Sequence, residues 1–128
     1  MSVIVYHKGC MDGVAAAWCF WKNHPGRDFI PGVYQSDFDP TIFTHQDVFL
    51  VDFSYPLEET KAILNVCKTL TILDHHKSCF EMLDVLGEHR KLNSYYCDAN
   101  SSGCMIAWKF LNGNKVPPQA LLHIQDRD

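Results

Sequence analysis

Thr71-Ile72-Leu73-Asp74-His75-His76 decides the fold. Leu70 to Leu73 is a short aliphatic and β-branched run that passes straight into an acid and two histidines. Such a run, flanked by helical patterns, predicts a strand buried on both faces of a parallel sheet. Ligands in open α/β sheets sit beyond the carboxyl ends of the strands. Asp74, His75 and His76 are therefore expected at the edge of a site. Carboxylate and imidazole donors together suit divalent cations. Read alone, the stretch equally fits a histidine at the strand end beside a second, solvated one.

The pattern outward from this strand is an alternation of strands and helices. Upstream, Val48 to Phe53 reads as a strand carrying Asp52 at its end. Ser54-Tyr55-Pro56 then turns into a helix over Leu57 to Cys67, with Glu58 and Glu59 in its first turn, where the helix dipole favours acids. Earlier still, Val3 to Tyr6 is a strand, and His7 to Gly13 is a tight loop. Val14 to Trp21 is a buried helix that Asn23-His24-Pro25-Gly26 ends. Phe29 to Tyr34 is an edge strand, because Pro31 cannot donate to a ladder. Ser36 to Pro40 is an acidic turn. Downstream, Cys79 to Leu86 is helical and Gly87 stops it. Lys91 to Cys97 is a short strand. Helices follow over Cys104 to Leu111 and Gln119 to Gln125. This alternation predicts an α/β three-layer sandwich with a mostly parallel central sheet and right-handed crossovers.

Composition narrows the class. The chain has 128 residues, near the commonest size of a single domain. Hydrophobic residues make up 47%, which fits a globular protein and argues against disorder. A net charge of −4 provides no global attraction for nucleic acid, although bound cations would invert the field locally. The six cysteines form no C-x-x-C pair, which argues against a structural zinc site. Cys19, Cys67 and Cys104 fall in apolar helical patterns, where a free thiol acts as a small hydrophobe. A reducing, cytoplasmic setting is expected. No apolar run approaches membrane-spanning length.

Three strand ends carry donor groups: His7 with Cys10 and Asp12, then Asp52, then Asp74-His75-His76. Asp126 closes a later helix, with Asp128 as its rival. Parallel strands bring their carboxyl ends to one sheet edge, so these groups can converge. Carboxylates in one pocket repel each other unless a cation neutralises them. The inventory is sufficient for two cations sharing a carboxylate. His24, His45, His89 and His123 fit no motif. Lys8, Lys77 and Arg127 flank the ligand loops and are left open.

In their order, His7-Lys8-Gly9-Cys10-Met11-Asp12-Gly13, Val51-Asp52-Phe53-Ser54, Asp74-His75-His76, Ser102-Gly103 and Ile124-Gln125-Asp126 resemble the DHH phosphoesterases. That family includes RecJ-like exonucleases, nanoRNases, cyclic-dinucleotide phosphodiesterases and family II pyrophosphatases. The resemblance runs over nearly the whole length. It implies that Asp52 bridges two divalent metal ions, most naturally Mn2+. His7 and Cys10 would hold one ion, and Asp12, His75 and Asp126 the other. His76 would face the phosphate, with Asp74 orienting the neighbouring histidine as its hydrogen-bond partner. Ser102 and Gly103 would offer backbone N–H groups to an anion at a helix N-terminus. The implied activity is metal-dependent hydrolysis of a phosphodiester, the substrate being a nucleotide or short oligonucleotide, with no membrane partner. A homodimer is left open.

Two departures from the family pattern bear on this. Cys10 stands where the family usually has Asp, and a thiolate opens the site to Fe2+ or Zn2+. The family's C-terminal substrate-binding domain is absent from residues 1–128, which read as one DHH-type catalytic domain, minimal or part of a larger enzyme. The alternatives are a degenerate nucleotide- or metal-binding module and an inactive fragment.

Overall fold

The computed structural model describes residues 2–23, 25–32, 38–87, 89–93 and 101–127. The strands are β1 (Ser2–His7), β2 (Asp28–Gly32), β3 (Asp47–Val51), β4 (Thr69–Leu73) and β5 (Leu92–Asn93). The helices are α1 (Met11–Asn23), α2 (Leu57–Val66), α3 (Lys77–Leu86), α4 (Gly103–Asn112) and α5 (Gln119–Arg127). A 3-10 turn over Pro40–Phe43 stands at the end of the expected acidic turn, with Asp39 accepting from the Thr41 amide at 3.0 Å.

The described strands form one sheet in the order β2-β1-β3-β4-β5, and every pairing is parallel. From β1 the chain first steps outward to β2. It then crosses back to the other side of β1 for β3, β4 and β5. The reversal lies between β1 and β3. A crevice opens beyond the carboxyl ends of strands where the order reverses. His7 ends β1, and Asp52 immediately follows β3.

Strand alternation divides the core into two clusters. Val3, Val5, Val48, Leu50, Leu70 and Ile72 pack with Ile63, Leu64, Cys79 and Met82 of α2 and α3. Ile4, Val51 and Leu73 pack on the other face with α1, α4 and Leu121 of α5. The sheet is therefore covered on both sides, which is why β4 reads as a continuous apolar run. Cys10, Cys19, Cys67 and Cys104 are free thiols. Burial pushes Cys19 and Cys104 up to about 12.

Several boundaries differ from expectation. α1 begins at Met11 rather than Val14, because Gly13 lets the first turn lie against His7. A Cβ on Gly13 would stand 2.4 Å from the His7 carbonyl oxygen. The earlier start moves Asp12 from the loop into the first turn of a helix. α3 likewise begins at Lys77, with His76 at its N-cap. β3 stops at Val51, because Asp52 takes a φ of 53°. Of the expected last strand, Leu92 and Asn93 pair with β4. Residues 94–97, the tail of the expected edge strand at 33–34, the residues at 36–37, His24 and Asp128 lie outside the described residues.

Lys91 has a structural task that its sequence position does not advertise. Its Nζ donates to the carbonyls of Leu64 at 2.9 Å and Cys67 at 3.0 Å, closing the C-terminal end of α2. Cations there satisfy orphan carbonyls and complement the dipole. Lys91→Met keeps the apolar stem and loses both bonds. Its urea midpoint is expected to fall by the equivalent of about 1–2 kcal/mol, with an unchanged m-value.

Candidate metal centre

Three strand-end segments meet at the switch point. The β4 segment supplies Asp74, His75 and His76. Asp74 is fully buried, and its Oδ1 accepts from the His75 amide at 2.8 Å and lies 2.6 Å from His76 Nδ1. A carboxylate at Nδ1 places the ring proton there and leaves Nε2 with the lone pair. Asp74 thus fixes the orientation of His76, whose side chain is 40% exposed at the mouth of the site.

Asp52 sits at the centre. Its left-handed backbone, which Asp tolerates better than most residues, turns the side chain into the crevice. Its amide donates to the Leu73 carbonyl at 2.8 Å, tying it to the end of β4. Oδ1 lies 2.8 Å from His75 Nε2, and Oδ2 lies 3.8 Å from His7 Nδ1. Burial, then the nearby Asp12 charge, raises the pKa of Asp52, and His75 and His76 offset only part of this.

Asp12 has a different environment. Its two oxygens accept from the amides of Gly103 and Cys104, each at 2.8 Å, and Oδ2 lies 3.4 Å from His75 Nε2. Burial pushes its pKa up, but hydrogen bonds from His75, Cys104 and Gly103 win and hold it well below the usual carboxylate range. Asp12 is the anion at the N-terminus of α4. Gly103 also makes room for Asp52, since a Cβ there would stand 2.5 Å from both Cβ and Oδ1 of Asp52.

Two groups have the spacing of a metal site. Asp52, Asp74, His75 and His76 form one, and His7, Cys10 and Asp52 form the other; within each, one donor atom per residue lies within 4.8 Å of the rest. Asp52 belongs to both. Oδ2 of Asp52 and Oδ2 of Asp74 are buried without a hydrogen-bond partner among the described residues. A buried carboxylate oxygen left unmatched is costly, and a cation would relieve that cost. The donor set of carboxylate, imidazole and one thiol therefore fits a divalent metal.

The structure brings together His7, Cys10, Asp52, Asp74, His75 and His76. Asp12 adjoins them, with Oδ2 3.4 Å from His75 Nε2, and belongs to neither group. Asp126 stands exposed on the last turn of α5, outside both groups. Its neighbour Gln125 turns inward instead, and Gln125 Oε1 accepts from the Ser102 amide at 3.2 Å. The expected anion site at Ser102 and Gly103 is corrected in the same way. The Ser102 amide goes to Gln125 and the Gly103 amide to Asp12, so the chain supplies its own acceptors there. Sequence reading missed Gly103 as a spacer and Gln125 as a latch. The only trace of the first was Gly directly after a capping Ser.

One relative aligns with the whole of this chain: a protein of Acanthamoeba polyphaga mimivirus described as uncharacterized, 32% identical over 143 aligned residues. The match takes in 100% of this chain and 33% of the relative, so the chain spans about a third of the length of the curated relative it matches. No family model matches the chain. No solved structure matches it.

Proposed function

We propose that this chain is a divalent-metal-dependent phosphohydrolase acting on the phosphodiester of a nucleotide or short oligonucleotide. The observation that carries the reading is Asp52, whose two oxygens face different histidines and which alone is shared by both candidate ligand groups. His7, Cys10 and Asp52 would hold one cation, and Asp52 with His75 would hold the other, beside Asp74 and His76. The cations would supply Lewis-acid stabilisation of a phosphate and activation of water. Mn2+ fits the carboxylates and imidazoles, and the Cys10 thiolate favours a softer ion. The resemblance to DHH phosphoesterases supports the same reading.

The chain's own residues do the rest. Asp74 holds His76 with Nε2 toward the solvent-facing mouth, where it can pass a proton or contact a phosphate oxygen. Asp12 fixes the start of α4 against α1 and so keeps the wall behind Asp52 in place. His76→Ala is expected to retain both cations while the phosphodiesterase rate on a dinucleotide falls about 100-fold or more. Metal stoichiometry by equilibrium dialysis and rate on the same preparation test this. Wild type without Mn2+-dependent hydrolysis of any dinucleotide would overturn the proposal.

One observation favours a second reading, a metal- or nucleotide-binding module without turnover. Asp126, the expected ligand on the His75 side, stands outside both ligand groups among the described residues. Under that reading wild type and His76→Ala bind metal equally and neither hydrolyses substrate.

Cys10 sets the metal preference. Cys10→Asp replaces sulfur with a hard oxygen donor and is expected to raise the Mn2+ to Zn2+ affinity ratio at least tenfold in competition titrations. An unchanged ratio would make Cys10 a bystander.

A further inference from the structure

α1 has two apolar faces, and the fold uses one. Ala16, Cys19 and Phe20 are fully buried against the sheet and α4. On the outer face Met11, Val14, Trp18 and Trp21 are 67%, 52%, 37% and 53% exposed. Their steps of three, four and three residues are those of the a and d positions of a heptad, the seam that takes a second helix. A helix apolar all round belongs in the interior of a larger body. Trp18 stands as a ridge between two grooves. One, of about 320 Å³, is walled by Tyr6, Trp21 and Phe29; the other, of about 250 Å³, by Pro118, Leu121 and Ile124. Both linings are almost wholly apolar. Nucleobase sites present polar groups to read base edges, and these grooves provide almost none.

We propose that this outer face of α1 is the docking surface for an amphipathic helix from polypeptide outside residues 1–128, a helix that the proposal places in the unmatched part of the mimivirus relative. The length of that relative argues for this occupant: only 33% of it corresponds to the chain whose apolar seam is uncovered. The heptad spacing requires apolar side chains on the incoming helix at intervals of three and four, seated in the grooves on either side of Trp18.

The test uses the 128-residue chain and, as probe, the unmatched segments of the mimivirus protein expressed separately. Sedimentation velocity is expected to show a monomer that forms a complex with one of these segments, with a blue shift of tryptophan emission as Trp18 and Trp21 leave water. Trp18→Glu with Trp21→Glu should weaken that complex at least tenfold, with unchanged far-ultraviolet circular dichroism. A conservative control, Trp21→Phe, should retain it. No complex at tens of micromolar probe would overturn the proposal. So would a complex indifferent to the double substitution, a dimer of the chain itself that the double substitution dissolves, or quenching of the same tryptophans by an oligothymidylate in place of the polypeptide. The metal-centre variants do not touch this face, so either reading can fail without the other.

Discussion

Asp52→Asn is expected to cost the chain both cations at once. The substitution keeps the size of the side chain, and Asn accepts the left-handed backbone that Asp52 occupies at φ 53°. Asn Oδ1 can still accept from His75 Nε2, so the local geometry persists. The negative charge is lost, as is one of two electron-donating oxygens, because an amide nitrogen does not ligate. Changing a partner that merely orients a ligand costs about 10- to 100-fold in metal affinity, so removing the shared ligand should cost more than about 100-fold at each site. Hydrolysis should vanish with the metal. The metal-free protein should behave in the opposite sense. Burial and Asp12 raise the pKa of Asp52 in the folded state. An acid raised on folding costs stability at pH values above its folded pKa, and that cost disappears as pH falls toward the unfolded value near 4. Metal-free Asp52→Asn should therefore melt no lower than wild type at pH 7, and any advantage should shrink near pH 4. Melting curves in chelator at the two pH values, beside Mn2+ titrations, check both halves. Retention of either cation with wild-type affinity would remove Asp52 from the shared position.

Gly103→Ala is expected to be strongly destabilising. The new Cβ would meet Asp52 Cβ and Oδ1 at 2.5 Å; the Cβ is fixed to the backbone and Oδ1 is held 2.8 Å from His75 Nε2. Relief requires α4 to move away from β3. That motion also pulls the Gly103 and Cys104 amides off Asp12, where each now donates at 2.8 Å. Overpacking of this kind costs about 1–3 kcal/mol, and a weakened pair of charge-assisted hydrogen bonds adds to it. A loss of at least about 3 kcal/mol, or on the order of 10 °C in melting temperature, follows for a domain of this size. Gly26→Ala is the control. It has no atom within 4 Å of the added carbon and no left-handed φ, so it should be close to neutral. Equal melting temperatures for the two variants would show that α4 does not press on Asp52.

The parts of this account that were legible in the sequence are those that local pattern encodes. Leu70 to Leu73 reads as a doubly buried strand because both faces of β4 are covered, and the residues after it then fall at a sheet edge without further information. The same logic placed His7 and Asp52. The parts that were not legible depend on contacts between distant segments. Asp12 and Gly103 are separated by 91 positions, and nothing near either says that one will cap the helix that the other begins. Gln125 and Asp126 are adjacent on α5, and helix phase decides which turns inward. A shift of one residue rotates a side chain by about 100°. α1 starts earlier than its sequence suggests, because Gly normally weakens a helix, whereas here its missing Cβ admits the His7 carbonyl.

The most direct measurement of the central claim is a crystal of wild type soaked in Mn2+ and recorded at the manganese absorption edge. Two anomalous peaks about 3.5–4 Å apart are expected, one on the His7 and Cys10 side of Asp52 and one on the His75 side. A single peak that Asp52 does not touch, or no peak at saturating Mn2+, would contradict the shared-carboxylate centre.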